Sequence, residues 1–206
     1  MIRNIWAVGR NYADHAKELG NDVPTSPMIF LKAGSCATVN SNEIVLPWWV
    51  QDVHHEVELA LKFSQFMTVV EAAVALDLTE RKLQNELKAK GHPWTLAKSF
   101  SDACPVSPFF SFKNFDDFRD RKIRLTVNDE VRQEGRTSQM IFGFEKLIEH
   151  VKMHFPVCGG DLLLTGTPAG VGPLRDGDTV KAEFEGEITH LWKVRQEKPP
   201  QPPTTP

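Results

Sequence analysis

The chain has 206 residues, of which 41% are hydrophobic, a composition rich enough in apolar groups to order most of its length as one large domain. Its 24 basic and 27 acidic residues give a formal net charge of −3, which excludes the basic surface typical of nucleic-acid binding. No apolar stretch approaches the roughly 18 residues that cross a bilayer, so we expect neither a nucleic-acid nor a membrane partner.

The ends of the chain and its cysteines suggest an intracellular globular protein. The N-terminal residues contain no apolar run of signal-peptide length, so the cytoplasm is the expected location. Cys36, Cys104 and Cys158 are odd in number and widely spaced, which favours packed thiols over a disulfide framework or a zinc site. Residues 197–206 are rich in proline, so we predict a disordered tail after a single catalytic domain over 1–196.

The hydrophobic pattern predicts many strands and few helices. Short extended runs bounded by turn-forming residues are expected at 2–9, 28–33, 43–47, 56–63 and 161–166. Period-two alternation predicts hairpins over 122–135 and 179–194, and helical periodicity predicts helices over 11–19, 79–90 and 138–154. These elements predict a mixed, mainly β domain.

Two glutamates stand two residues apart in one of the predicted strands. Side chains alternate between the faces of a strand, so Glu56 and Glu58 share one face while Val57 and Leu59 point towards the core. A divalent cation between the two carboxylates would turn their repulsion into binding energy. The alternative is an ordinary solvated acidic face.

Asp77, just before the predicted helix 79–90, is a candidate third carboxylate. It could equally accept a hydrogen bond from the first turn of that helix. Three carboxylates form a hard oxygen site that suits Mg²⁺ or Mn²⁺, with Ca²⁺ as a further candidate, better than Zn²⁺ or Cu²⁺. His54 and His55 are candidates for orienting a ligand or for binding a softer metal.

Three other segments could carry chemistry. His15 and Glu18 share one face of the predicted helix 11–19, where the carboxylate could orient the imidazole as a general base for water, although such pairs are common on solvated helices. Lys98 lies among apolar neighbours, which makes it a candidate for stabilising an oxyanion. The glycine-rich stretch 164–173 could hold a carboxylate through its backbone amides or could be only a tight connection between strands.

Six motifs occur along the chain in the order known for one family. They are GRNYADH (9–15), HHEVEL (54–59), the segment 77–81, PWTLAKSF (93–100), QEGRTSQMIF (133–142) and LTGTPAGVG (164–172). The chain therefore resembles the fumarylacetoacetate hydrolase family over roughly residues 5–194, within its acylpyruvase and fumarylpyruvate hydrolase branch. The resemblance implies a β-roll or barrel-like fold with a few helices, a homodimer, and one Mg²⁺ or Mn²⁺ per subunit.

The resemblance also implies roles for particular residues. It implies that the metal ligands are Glu56, Glu58 and Asp77, that His15, Glu18 and Lys98 are catalytic, and that Arg81, Gln84 and Thr167 contact substrate. The implied reaction is hydrolysis of a carbon–carbon bond in a 3-acylpyruvate, releasing pyruvate and a carboxylic acid. Decarboxylation or tautomerisation of oxaloacetate through the same enolate is the alternative, and a metal-binding relative without activity is another.

The chain departs from the family in the length of the segment before Asp77. Between Val74 and Ala75 it lacks a stretch that relatives have, and 62–67 is also short. Either a loop is absent from the given sequence only, or the deletion is real. A real deletion would remove much of the strand that presents Asp77 and would leave that metal ligand, and the activity, without support.

Overall fold

The computed structural model describes residues 1–18, 20 and 22–201. The prediction of a mainly β fold is confirmed, with 40% of the residues in strands and 20% in helices. In chain order, the strands of this described part are β1 (Asn4–Gly9), β2 (Met28–Ala33), β3 (Ala37–Val39), β4 (Glu43–Leu46), β5 (Val53–His55), β6 (Val57–Phe63), β7 (Val69–Leu76), β8 (Thr79–Glu80), β9 (Cys104–Val106), β10 (Phe110–Ser111), β11 (Lys122–Val127), β12 (Glu130–Arg136), β13 (Leu162–Leu164), β14 (Gly172–Pro173), β15 (Thr179–Phe184) and β16 (Ile188–Gln196).

The helices are short and lie between the strands. They are α1 (Ala13–Glu18), α2 (Arg81–Ala89), α3 (Thr95–Lys98) and α4 (Phe144–His154), with 3-10 turns at Gly34–Cys36, Phe115–Phe118 and Thr137–Gln139. Within the part of the chain that the structure describes, no helix has the length and apolar character needed to cross a membrane.

Three sheets build the molecule. The largest is a curled half-barrel with the strand order β2-β1-β13-β6-β7-β9-β3, to which β10 adds beside β7. A second sheet has the order β12-β11-β15-β16-β4, and it contains both predicted hairpins as antiparallel pairs. A small third sheet, β14-β5-β8, lies next to the start of β6. The apolar faces of the sheets share one hydrophobic core.

The strand before Asp77 is not truncated, as a real deletion there would have implied. Strand β7 has eight residues and pairs with β6 from Val57 opposite Leu76 to Phe63 opposite Val69. A tight turn closes the link, with the Ser64 amide donating to the Thr68 carbonyl at 2.8 Å. Strand β7 therefore runs up to Asp77 and is joined to β6 by a tight turn.

The helices predicted over 138–154 and 79–90 were too long at their N-terminal ends. The predicted helix 138–154 begins only at residue 144, because the preceding backbone bonds to another segment. Met140 forms a β-bridge with Tyr12, and the amide of Ile141 donates to the Asn11 carbonyl at 2.8 Å. Similarly, the first two residues of the predicted helix 79–90 form β8 against β5.

The remaining differences concern short segments and the tail. The helix predicted over 11–19 begins at Ala13, and its last predicted residue lies outside the described residues. The one-turn helix α3 was not predicted, because four residues give no helical period. Residues 197–201 form neither helix nor strand, and 202–206 lie outside the described part, so the disordered tail stays a prediction.

Candidate active site

Antiparallel pairing of β6 with β7 brings three carboxylates together. Glu56 immediately precedes β6, Glu58 lies in it, and Asp77 follows β7, where its amide donates to the Glu56 carbonyl at 2.9 Å. All three side chains are buried, and each offers a carboxylate oxygen within 4.8 Å of the others. The strand register therefore unites residues that are about twenty positions apart in sequence.

Glu56, Glu58 and Asp77 are called the carboxylate trio below. Burial and neighbouring charges shift the pKa values of its two glutamates. Burial, together with the charges of Asp77 and Glu56, raises the pKa of Glu58 well above its usual value, although the Gly166 amide donates to its Oε2. Burial also raises the pKa of Glu56, but the positive charges of Lys98 and Arg81 outweigh that effect, so its pKa lies below the usual range.

Buried cations neutralise part of the trio. The ammonium of Lys98 lies 3.0 Å from Glu56 Oε2 and 2.6 Å from Asp77 Oδ2. The guanidinium of Arg81 pairs with Glu56 Oε1. Asp77 does not cap helix α2, because Glu80 takes that position and accepts from the Leu83 amide.

Sequence reasoning missed a third buried cation, Lys32 in strand β2. Its side chain is fully buried, its Nζ lies 2.6 Å from Asp77 Oδ1, and it donates to the Ala103 carbonyl at 3.0 Å. A lysine within an otherwise apolar strand was the available signal, because such a residue needs a buried anion.

Helix α1 carries His15 and Glu18, the predicted catalytic dyad, and places His15 in a pocket that the trio also lines. His15 is buried, and its Nδ1 lies 3.1 Å from Glu18 Oε2. Glu18 Oε1 also accepts from the Gly170 amide at 3.0 Å. Asn11 anchors the start of this segment by donating to the Thr165 carbonyl at 2.7 Å. The histidine therefore faces the pocket instead of a solvated helix surface.

The glycine-rich stretch 164–173 does hold carboxylates, but they belong to the protein. Its amides at Gly166 and Gly170 donate to Glu58 and Glu18 respectively. Both glycines have positive φ, +95° and +100°, and a Cβ at Gly170 would lie 1.9 Å from the Arg132 carbonyl oxygen. Glycine is therefore required where the loop connects the trio to the dyad.

A buried glutamine from the second sheet was also missed. Gln133 accepts from the Val57 amide at 3.0 Å and contacts His55 Nδ1 at 2.9 Å, and its Nε2 donates to Thr167 Oγ1 at 2.7 Å. Because Thr167 accepts this bond, its own hydroxyl proton is free to donate into the pocket that it lines. Gln133 therefore orients a predicted substrate contact.

The two histidines before β6 do not join the trio. His55 contacts Gln133, and His54 Nε2 lies 3.2 Å from Asp52. The group of potential metal ligands among the described residues is made of carboxylates alone. Softer-metal ligation through His54 and His55 is therefore not supported.

One pocket collects the predicted site residues. Its lining includes each of them except Glu18, which contacts His15 but does not line the pocket. Arg81 and Gln84 line it together and are joined by a 2.8 Å hydrogen bond. The lining residues that sequence analysis did not single out are Val8, Gly9, Arg10, Met28, Phe30, Lys88 and Trp94.

The donor set fits a hard divalent cation. Three buried carboxylates supply only oxygen ligands, the kind preferred by Mg²⁺, Mn²⁺ and Ca²⁺. The repulsion that raises the pKa of Glu58 is the interaction that a cation at this position would reverse. Glu56, Glu58 and Asp77 are therefore the residues that would hold it.

The curled half-barrel fold is that of an enzyme family with hydrolase, isomerase and decarboxylase members. Residues 4–194 match the family described as fumarylacetoacetate (FAA) hydrolase, C-terminal, and the chain belongs to this family. The resemblance noted from the motifs is thus confirmed.

Several relatives have names that describe an activity. The chain is 41% identical to the mitochondrial oxaloacetate tautomerase of Homo sapiens, covering 96% of this chain and 93% of that protein. It is 39% identical to the mitochondrial oxaloacetate decarboxylase of Dictyostelium discoideum, with 92% of each chain covered. The fumarylpyruvate hydrolase of Pseudomonas aeruginosa, solved with Mn²⁺ and pyruvate, superimposes with a TM-score of 0.88 at 29% identity, covering 95% of this chain and 91% of that one.

Proposed function

We propose that the chain catalyses the enol–keto tautomerisation of a small 2-oxo acid, with oxaloacetate as the substrate, and that it requires a divalent cation. The observation that carries the proposal is the buried trio of Glu56, Glu58 and Asp77 with Lys98 between two of its members. The relatives named as oxaloacetate tautomerases, at about 40% identity over nearly the whole chain, support the choice of substrate.

The site combines charge stabilisation with room for a small acid. A divalent cation held by the trio would supply a Lewis acid for the carboxylate and 2-oxo oxygens of the substrate. Lys98 lines the pocket beside the trio, where its ammonium can stabilise the negative charge that develops on the 2-oxo oxygen. Arg81 lines the pocket as well, where its guanidinium pairs with Glu56 and donates to Gln84.

His15 is suited to move the proton at C3. When its Nδ1–H donates to Glu18, its Nε2 keeps a lone pair that can accept a proton in the pocket. Glu18 is itself fixed by the Gly170 amide, so the imidazole is held in one orientation. Tautomerisation then consists of proton removal from one atom of the enol–keto system and return to another, with no net loss of atoms.

Hydrolysis of a 3-acylpyruvate is the second candidate, and the dyad of His15 and Glu18 is the observation that favours it. The same base could activate a water that attacks the C4 carbonyl. The C3–C4 bond then breaks, its electron pair forms the pyruvate enolate, and protonation at C3 gives pyruvate and a carboxylic acid. The structural similarity to a fumarylpyruvate hydrolase supports this reaction class.

The test is a side-by-side assay of the purified chain with Mg²⁺, with Mn²⁺ and with chelator. Enol loss from oxaloacetate is followed by ultraviolet absorbance, and pyruvate release from oxaloacetate and from acetylpyruvate by a coupled dehydrogenase. We expect metal-dependent tautomerisation to exceed both pyruvate-forming reactions. Faster pyruvate release from acetylpyruvate would select hydrolysis, and no turnover of either substrate by the metal-loaded chain would indicate an inactive relative.

A pair of lysine variants links the activity to the pocket. Lys98→Met should reduce turnover by at least about 100-fold, because it removes a preorganised charge from the reacting oxygen. Lys62→Met serves as the control, since Lys62 lies in β6 but pairs with Glu71 on a partly exposed face. Equal activity of the two variants would contradict the role of Lys98.

A further inference from the structure

Two cations that line the pocket pair with no carboxylate among the residues that the structure describes. Lys32, Arg81 and Lys98 each pair with a carboxylate of the trio. Arg10 and Lys88 line the same pocket, yet within the described part of the chain neither forms an ion pair or a side-chain hydrogen bond. Arg10 and Lys88 therefore bring positive charge to the pocket that no acidic side chain of the described residues pairs with directly.

Lys88 extends the functional face of helix α2. Residues 81, 84 and 88 follow the i, i+3, i+7 spacing, and all three line the pocket. Arg81 and Gln84 lie in the first turns beside the trio, whereas Lys88 lies in the last turn, about 10 Å further along the helix axis. One face of helix α2 therefore carries Arg81, which pairs with the trio, at its start and Lys88 at its end.

The ammonium of Lys88 is placed against an aromatic ring. Its Nζ lies 5.0 Å from the ring centroid of Trp94, which also lines the pocket. Burial and the nearby charges of Arg81, Lys98 and Arg10 lower the pKa of Lys88. An anion bound here would relieve that repulsion, which is the electrostatic property of an anion site.

Arg10 lines the pocket from the residues after β1, on a fixed backbone. It follows β1 with φ of +61°, a conformation that residues other than glycine seldom adopt. The next residue, Asn11, is fully buried and bonds to the Thr165 and Phe142 carbonyls. The backbone that carries Arg10 is therefore held at the pocket and not in a free loop.

We propose that Arg10 and Lys88 form a second anion subsite that binds the distal carboxylate of a dicarboxylic 2-oxo acid. This inference rests on the proposed function, because the first carboxylate and the 2-oxo group must occupy the site of the trio. A substrate with one carboxylate leaves both cations without a partner, whereas a dicarboxylate pairs with them. The subsite therefore selects for a second negative charge.

The test compares the binding of two ligands, pyruvate and 2-oxoglutarate, which share the 2-oxo acid head and differ in the distal carboxylate and one methylene group that carries it. Calorimetry of the Mn²⁺-loaded protein gives each Kd. We expect 2-oxoglutarate to bind about tenfold more tightly than pyruvate, since a hydrogen-bonded charge pair has that magnitude. Arg10→Met and Lys88→Met should each remove most of this preference while changing the Kd of pyruvate by less than about twofold.

Matched variants separate this effect from misfolding and from net charge. Lys82→Met removes an exposed lysine from the same helix and should retain the preference. Lys88→Arg should restore most of it, because the positive charge is kept. Equal affinity of the wild type for both ligands, or a preference that survives in both methionine variants, would overturn the subsite. Binding of neither ligand would instead overturn the proposed function.

Discussion

Each oxygen of the Asp77 carboxylate contacts a different buried lysine. Oδ1 lies 2.6 Å from Lys32 Nζ, and Oδ2 lies 2.6 Å from Lys98 Nζ. A carboxylate has about four lone-pair positions, so these contacts leave sites for a cation. The lysines therefore hold a buried negative charge in place without using up its capacity as a ligand.

Replacement of Lys32 should lower the stability of the fold, because the buried Asp77 carboxylate loses a counter-ion. We expect Lys32→Met to lower the free energy of unfolding of the metal-free protein by about 3 kcal/mol, because Asp77 loses one of its two cations. Lys62→Met, which breaks a partly exposed pair with Glu71, should cost less than about 1 kcal/mol. Urea unfolding of the two variants measures the difference, and equal losses would refute a special role for Lys32.

Substitutions in the trio and in the dyad should have different effects on metal binding. Glu58→Ala should abolish metal-dependent turnover and weaken Mn²⁺ binding at least about tenfold, because it removes a ligand oxygen. His15→Ala should abolish turnover and leave Mn²⁺ binding nearly intact, since His15 contacts Glu18 and not the trio. Titration followed by electron paramagnetic resonance measures both, and equal loss of Mn²⁺ in the two variants would refute the division of roles.

The residues of the site differ in how readily their roles can be predicted from the sequence. Glu56 and Glu58 are apparent from strand alternation, because both are close together in the chain. Asp77 needed the family resemblance to be chosen over a helix cap. Lys32 and Gln133 were missed, because their roles depend on contacts between segments far apart in the chain, Lys32 with Asp77 and Gln133 with Val57.

A cluster of aromatic side chains joins the largest sheet to the second sheet. Phe118, at the end of a 3-10 turn, is fully buried and packs edge-on against Phe184 of β15 with 5.1 Å between ring centroids. It also contacts Phe110 of β10 at 6.0 Å and Phe144 of α4 at 6.3 Å. Edge-to-face pairs of this kind stabilise beyond the area that they bury.

Loss of this central ring should destabilise the fold. Phe118→Ala is expected to lower the free energy of unfolding by about 3–5 kcal/mol, as large-to-small changes in a packed core do. Phe66→Ala, at the tip of the β6–β7 turn and 88% exposed, should change it by less than about 0.5 kcal/mol. Denaturant unfolding tests both, and a loss below about 1 kcal/mol for Phe118→Ala would contradict the packing described.

Sequence pattern was most informative where an element is determined by its own residues. Both hairpins follow from alternation and turn residues alone. The helix predicted from 138 failed over its first residues because Tyr12 and Asn11 compete for that backbone. The strand before Asp77 was doubted for a missing stretch, yet its pairing with β6 retained it.

At the scale of the whole molecule, the site makes stability depend on pH. The pKa of Glu58 is raised in the folded state by burial and by Asp77 and Glu56, whereas the unfolded value is the usual 4.5. The folded state therefore holds the proton more tightly, and this stabilisation is present below pH 4.5 and is lost as pH rises through the folded pKa.

Replacement of Glu58 by glutamine should remove this dependence. In chelator, Glu58→Gln should become more stable than the wild type by about 1.4 kcal/mol for each pH unit above the unfolded pKa, until the folded pKa is reached. Urea unfolding between pH 5 and pH 8 measures it. A constant difference across that range would show that Glu58 ionises normally in the fold.

The central claim is that Glu56, Glu58 and Asp77 bind one divalent cation, and anomalous scattering from a crystal grown with Mn²⁺ tests it most directly. We expect one strong anomalous peak within coordination distance of an oxygen from each of the three side chains, with Lys32 still contacting Asp77. A peak bound by other residues, or none beside the trio at millimolar Mn²⁺, would contradict it.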